Sequence, residues 1–148
     1  MYERDNILIS VHQRHAMNMM SGDKTVELRR RPLRVAPGTR VWIYSKVPRG
    51  SVEAVGTVDH IAASSPGQIW KEFGDQTGIS QREFFEYFSG SETAYAIVFQ
   101  EVQRLDRPLS LQEIRKHSSK FQPPQFFVWL SSDNVVLNYF HTALEIPR

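Results

Sequence analysis

The sequence has no cysteine among its 148 residues, which excludes a disulfide framework and any chemistry that needs a thiolate. It also lacks an apolar run near the ~20 residues that a membrane-spanning helix requires, so we expect no membrane association. Its N-terminus shows no charged segment followed by a long apolar stretch, and we therefore expect no secretory signal. Together these absences favour a cytoplasmic protein, and the length fits one domain over residues 1–148.

Several catalytic signatures are missing as well. The sequence contains no G-x-S-x-G nucleophile elbow, no glycine loop that would cradle a phosphate and no H-E-x-x-H zinc motif. His12 and His15 have a spacing that can bind a metal, but no third ligand lies near them in the sequence. We therefore expect neither a bound metal nor a cofactor.

Negative charge is scarce in one segment. Between Lys24 and Arg49 there are eight basic residues, and Glu27 is the only acid, which gives a local charge of +7. Because the whole chain carries only +2, the rest of it must carry −5. A concentrated positive region on an otherwise acidic molecule indicates a polyanionic partner. The alternative is a solvated arginine-rich loop, which is what most charge runs are.

The most informative pattern in the chain is G-x-K-x-x-E-x-R, formed by Gly22, Lys24, Glu27 and Arg29. Side chains alternate between the two faces of a strand, so Thr25, Glu27 and Arg29 are expected on one face, outside the core. Lys24 lies in the turn at the mouth of this strand. The alternative is an exposed salt-bridge cluster that adds little to stability. If Lys24, Glu27 and Arg29 instead converge on one cleft, replacing Glu27 with glutamine should change ligand preference more than stability.

The remaining pattern predicts short elements without internal repeats. Two capping boxes, Ser80 with Glu83 and Ser110 with Glu113, predict helix starts. The fold class predicted is α+β, a small, mostly antiparallel β-barrel decorated with helices. Strands are predicted at 7–11, 25–30, 40–46, 53–61 and 93–105, with a sixth strand or a buried turn at 126–130. Helices are predicted at 12–21, after Pro66, after Ser80, at 110–117, and from a cap at Ser131, Ser132 or Asp133 through Leu144.

The G-x-K-x-x-E-x-R pattern closely resembles the signature of the ASCH domain, a PUA-like family associated with RNA binding, at all four signature positions. The resemblance covers about residues 7–130. Residues 41–44, after a Pro-Gly turn, resemble the family's second block, and residues 121–125 resemble the late block that closes the cleft in bacterial members. The resemblance implies a PUA-like β-barrel with a helix between its first two strands and a cleft beside that helix.

The expected partner is RNA or a nucleotide, with arginines on phosphates or base edges, a glutamate accepting hydrogen bonds and an aromatic ring stacking on a base. Trp42, Phe121, Phe126, Phe127 and Trp129 are expected in the core, although one of the last four is a candidate for base stacking. The candidate binding residues are Lys24, Thr25, Glu27, Arg29, Arg30, Arg31, Tyr44, Ser45, Lys46 and Gln125.

Two classes of function remain open, a binding module and a small hydrolase acting on RNA or on an acylated nucleoside. In the small amidohydrolase branch of ASCH-like proteins, a lysine in the turn works with a threonine three residues on and a more distant glutamate. Lys24 fits the first position, but Glu27 stands where the threonine is required, so we expect no deacylation of acylated cytidine. A metal-free ribonuclease would need a base and an acid, for which Lys24, Glu27, Tyr44 and Lys46 are the catalytic candidates.

Overall fold

The computed structural model describes residues 5–144, which form an α+β fold of six strands, five α-helices and one 3₁₀ turn. The strands are β1 (Asn6–Val11), β2 (Val26–Arg29), β3 (Arg40–Ser45), β4 (Ser51–Ser64), β5 (Ala94–Ser110) and β6 (Phe127–Trp129). The helices are α1 (Gln13–Ser21), α2 (Pro66–Phe73), α3 (Gln81–Tyr87), α4 (Leu111–His117) and α5 (Val135–Thr142), with the 3₁₀ turn at Gly74–Gln76.

The strands form one curled, mixed sheet in the order β2-β5-β4-β3-β1-β6. Only β1 and β3 pair in parallel, and the other four pairings are antiparallel, as expected for a mostly antiparallel architecture. The predicted β-barrel is thus confirmed in part: the sheet is a half-barrel, because no ladder joins β2 to β6 within residues 5–144. These two edge strands have four and three residues, which leaves little backbone edge exposed.

The two faces of β1 and β3 build two different parts of the core. Leu8, Trp42 and Tyr44 belong to a cluster completed by residues of α4 and α5. The intervening residues, such as Ile9 and Ile43, belong to a second cluster that includes α1. This is the period-two alternation that strand geometry requires, and it sends Tyr44 to the α4–α5 side of the sheet.

A third cluster lies under β2. Val26 and Leu28 point into it, as the alternation predicts, and they pack with Ile69 of α2 and Phe84 of α3. The two helices inserted between β4 and β5 therefore cover the inner face of β2. This packing fixes the strand that carries Glu27 and Arg29 on its opposite face.

Several element boundaries differ from the predictions. The last helix is capped by Asn134, not by residues 131–133, because its side-chain oxygen accepts hydrogen bonds from the backbone of Val136 and Leu137. Strand β5 continues past residue 105 to Ser110, because its backbone keeps pairing with β4 as far as Ser51. The end of β5 is polar, so its side-chain pattern is that of a loop, but backbone pairing does not depend on side-chain polarity and the strand continues.

Within residues 5–144, every helix is too short or too polar to span a bilayer.

Candidate nucleic-acid interface

A cavity of about 820 Å³ occupies the open seam of the half-barrel. Its walls are the C-terminal half of β1, the start of α1, β2 with the arginines that follow it, α3, and the segment 125–127. This volume lies in the range of about 300–1,000 Å³ that is usual for small-ligand sites. The seam, which the sheet leaves unpaired, therefore forms a concave site of ligand size.

A chain of three charged side chains lies in the cavity wall. Lys24 is 2% exposed and Glu27 is 6% exposed, so the charges are buried rather than standing outside the core as predicted. The Lys24 Nζ donates to the Thr77 carbonyl oxygen at 2.7 Å and lies 3.5 Å from Glu27 Oε1. The other carboxylate oxygen, Glu27 Oε2, accepts from Arg29 Nη2 at 2.9 Å. One carboxylate thus compensates two cations.

Local backbone geometry places Lys24 beside this carboxylate. Gly22 ends α1 with a φ of 90°, a left-handed conformation that glycine adopts without strain. The backbone N–H of Lys24 then donates to the Asn18 carbonyl at 2.9 Å, which turns the chain back under α1. Gly78, with a φ of +73°, packs so closely that an added Cβ would lie 3.2 Å from the Lys24 Cβ. The loop that carries Thr77 therefore closes over the lysine stem.

Arg29 bridges the seam. Its Nη1 donates to the Phe126 carbonyl at 3.2 Å, and its Nη2 donates to the Ser10 carbonyl at 3.3 Å as well as to Glu27. The guanidinium therefore links edge strand β2 to β1 and to the residue that precedes β6. Its Nε is buried and has no hydrogen-bond partner among the described residues.

The charges of this cluster are strongly coupled. Burial alone would raise the pKa of the Glu27 carboxyl, but the charges of Arg29 and Lys24 outweigh burial and hold that pKa below its ordinary value. Burial lowers the pKa of the Lys24 ammonium, and the Glu27 charge offsets this only in part. Burial and the nearby Lys24 charge lower the pKa of His15 to about 4. Its imidazole is therefore neutral at pH 7, and its buried Nδ1 has no partner among the described residues.

Further cations surround the cavity. Arg30 stacks over the Tyr87 ring at 4.9 Å, and Arg31 stacks over the Phe126 ring at 4.1 Å. Arg14 pairs with Glu83 at 2.8 Å, and both of these side chains are substantially exposed. Leaving the histidines out of the count, the lining carries six cations and two carboxylates, a net charge of +4. The cations are Arg14, Lys24, Arg29, Arg30, Arg31 and Lys46.

Seven of the ten binding residues predicted from the sequence line this cavity. They come from the turn before β2, from β2 and its exit, from the end of β3 and from the proline-rich segment before β6. They are Lys24, Glu27, Arg29, Arg30, Arg31, Lys46 and Gln125. Their binding role stays a prediction.

The structure places the other three away from the cavity lining. Thr25 precedes β2, which begins at Val26, so the alternation does not extend to it, and its hydroxyl contacts the Gln76 side chain at 3.2 Å. Tyr44 faces the α4–α5 cluster because it shares a strand face with Trp42. Ser45 is fully buried at the end of β3. Tyr44 is therefore also misplaced as a catalytic candidate for chemistry in this cavity.

The sequence reasoning missed the wall formed by α3. Glu83 and Tyr87 line the cavity, although the run 84–88 indicated only an apolar helix side. Phe126 was expected in the core but is 47% exposed, and Trp129 is 48% exposed. His15 was weighed only as a metal ligand. Among residues 5–144, no group of three or more histidine, aspartate or glutamate side chains could hold a metal ion.

The curled α+β half-barrel, with a cation-rich cavity beside its first helix and second strand, agrees with the ASCH-type, PUA-like class that the sequence resemblance implied. Residues 6–129 match the family model described as "Domain of unknown function (DUF365)". An "ASCH domain-containing ribonuclease" of Zymomonas mobilis is 32% identical over 131 residues, which cover 88% of each chain. The chain therefore belongs to the DUF365 family and to the ASCH, PUA-like family.

Solved structures agree with this assignment. The crystal structure of ASCH from Zymomonas mobilis is similar with a TM-score of 0.86 and 30% identity, over 96% of each chain. Human THYN1, crystallised in complex with DNA containing 5-methylcytosine, has a TM-score of 0.56 and 8% identity, over 97% of this chain and 99% of that one. This second likeness establishes a shared fold only.

Proposed function

We propose that the protein binds RNA or a modified nucleotide in the cavity at the seam of the half-barrel. The observation that carries this proposal is the +4 lining of a cavity that has nucleotide-sized volume and aromatic rings on two walls. Cations contact phosphates, and aromatic and guanidinium planes stack on unpaired bases. The human neighbour that was crystallised with DNA shares this fold, so the fold is compatible with nucleic-acid binding.

Single-stranded RNA is the form that this site fits. Sequence-specific proteins read RNA mainly in loops and single strands, because the deep major groove of an RNA duplex is closed to side chains. A cavity walled on several sides admits a splayed base but not a base pair held inside a helix. The rim arginines Arg30 and Arg31 line the cavity and are exposed, which makes them available to a phosphate backbone at its mouth.

The test is the salt dependence of binding. We expect the double variant Arg30→Ala/Arg31→Ala to bind labelled single-stranded RNA more weakly, with a shallower plot of log affinity against log salt. Each lost phosphate contact should reduce the slope by about 0.7. Arg82→Ala is the matched control, since Arg82 lies outside the cavity and pairs with Glu86 on the surface of α3. An unchanged slope in the double variant would remove the rim from the interface.

RNA cleavage in the same cavity is the second candidate function, because the 32% identical relative is named a ribonuclease. A metal-free mechanism has the ribose 2′-oxygen attack phosphorus while the bond from phosphorus to the 5′-oxygen breaks, which leaves a cyclic phosphate. His15 lines the cavity and is neutral at pH 7, so it can accept the 2′-hydroxyl proton, but its pKa of about 4 makes it a weak base. Lys46 is suited to protonate the departing 5′-oxygen, and Lys24 to offset phosphate charge. Glu27, ionised and paired, is a poor proton acceptor.

Labelled RNA separates binding from cleavage. If cleavage occurs, wild-type protein should shorten the RNA in the presence of a metal chelator, and a single 2′-deoxy substitution should block the cut at that position. Lys46→Ala should slow cleavage more than it weakens binding. Binding without any cut under these conditions would leave a binding module as the function.

A further inference from the structure

Two arginine–aromatic stacks flank the cavity mouth. The positive charge of the cavity would explain phosphate binding, but it does not explain why these arginines stack on aromatic rings. Arg30 and Arg31 are consecutive, yet their guanidinium groups stack on rings that belong to different walls. Tyr87 ends α3, whereas Phe126 lies just before β6. The chain leaving β2 therefore sends one planar cation to each side of the seam.

Both rings are partly exposed, as is the ring of Phe85, which lies on the same helix as Tyr87. Tyr87 is 37% exposed and Phe126 is 47% exposed, whereas Phe84 and Phe88 of the same helical region are 0% and 2% exposed. The Phe126 backbone is held by Arg29, so the position of this residue is fixed while its ring stays outside the core. The Tyr87 hydroxyl donates to the Leu28 carbonyl at 3.4 Å, which anchors the second ring against β2.

We propose that these stacks form a two-base clamp, in which one unpaired base stacks on Tyr87 and a second on Phe126. This inference rests on the proposed RNA binding and goes beyond it, because it assigns the stacking residues and requires a ligand of at least two unpaired nucleotides. Each base has an apolar π-face, and both an aromatic ring and a guanidinium plane are suitable partners for it. In the free protein each arginine stacks over one ring, and in the complex it is available to the base or its phosphate.

The clamp predicts how affinity depends on the ligand. A single nucleotide fills one side of the mouth, whereas an unpaired dinucleotide engages both rings. Stacking does not release counterions, so the contribution of the rings should be independent of salt, unlike that of the arginine charges. Duplex RNA, whose bases stack on one another, should be excluded from both positions.

The experiment measures the binding of labelled oligouridylate and oligoadenylate to the full chain. We expect Phe126→Leu and Tyr87→Leu each to reduce affinity by roughly fivefold or more at every salt concentration, with the salt slope unchanged. Phe85→Leu is the matched control, because this ring of α3 is 39% exposed but does not line the cavity. It should bind as the wild type does. Competition with mononucleotide, dinucleotide and duplex tests the length and strand requirements.

The outcomes separate this clamp from the function on which it rests. If wild-type protein binds no RNA, the proposed function itself fails. If it binds with a salt-dependent affinity but both leucine variants match the wild type, or duplex competes as well as single strands, the clamp is wrong while RNA binding stands. Should Tyr87→Leu unfold, Phe126→Leu decides alone, since its ring is half exposed and circular dichroism can confirm that the variant remains folded.

Discussion

Replacing Glu27 with glutamine tests the buried charge cluster directly. The substitution keeps the side-chain shape but removes the negative charge that lies 2.9 Å from Arg29 and 3.5 Å from Lys24. Both cations then remain in a buried wall without a carboxylate. From the sequence alone, this change was expected to alter ligand preference more than stability, and the burial of Glu27 reverses that expectation.

The magnitude follows from the contacts that survive. Removing one partner of a buried ion pair typically destabilises a protein by about 3–5 kcal/mol. Arg29 keeps its two carbonyl acceptors, and Lys24 keeps the Thr77 carbonyl. The pKa of Lys24 is already lowered by burial, so this residue can lose its proton and relieve the uncompensated charge. We therefore expect a loss near the lower end of the range, about 3 kcal/mol at pH 7.

Urea unfolding measures this loss. With a slope of about 2 kcal/mol per molar urea, a loss of about 3 kcal/mol lowers the midpoint by about 1.5 M. Glu83→Gln is the control, because its partner Arg14 is exposed and an exposed pair adds little to stability. We expect no measurable midpoint change in the control. A Glu27→Gln midpoint equal to that of the wild type would show that Glu27 does not compensate the two cations.

Three further outcomes are expected. Because the pKa of His15 falls from 6.5 to about 4 on folding, the unfolded chain takes up a proton at a higher pH than the folded chain does. The free energy of unfolding should therefore decline as the pH drops from about 6.5 to about 4. His15→Gln should flatten that part of a plot of urea midpoint against pH. Asn134→Ala should destabilise the protein by about 1 kcal/mol in urea unfolding, through loss of the α5 cap. Wild-type protein should not deacylate acylated cytidine in a chromatographic assay, and turnover that Lys24→Ala abolishes would contradict this.

The sequence pattern correctly predicted those features of the site that depend only on neighbouring residues. The period of two in a strand is enough to place Glu27 and Arg29 on one face and Val26 on the other. Because Lys24 lies in the tight turn after Gly22 and before β2, the alternation does not determine the direction of its side chain. Both inferences use only neighbouring residues, so they need no knowledge of the tertiary fold.

The rest of the site depends on contacts between distant segments. The burial of Lys24 requires the loop around Thr77, which approaches from 53 positions along the chain. The period of two correctly pairs Tyr44 with Trp42, but it does not reveal which face of β3 borders the cavity. The wall contributed by Tyr87 looks in the sequence like part of an ordinary apolar helix. Whether the sheet closes depends on pairing between its edge strands β2 and β6, and the sequences of two such short strands do not show whether they pair.

The bridge that Arg29 makes across the seam affects how mutational results at this site should be interpreted. Arg29 both faces the cavity and holds β2 against β1 and the segment before β6. Lost binding in an Arg29 variant therefore does not identify a ligand contact, because the same change releases a wall of the site. Arg30 and Arg31, which contact only side-chain rings in the interactions described above, separate the two effects. Selection for altered recognition should therefore succeed at these two rim positions before it succeeds at the buried charges.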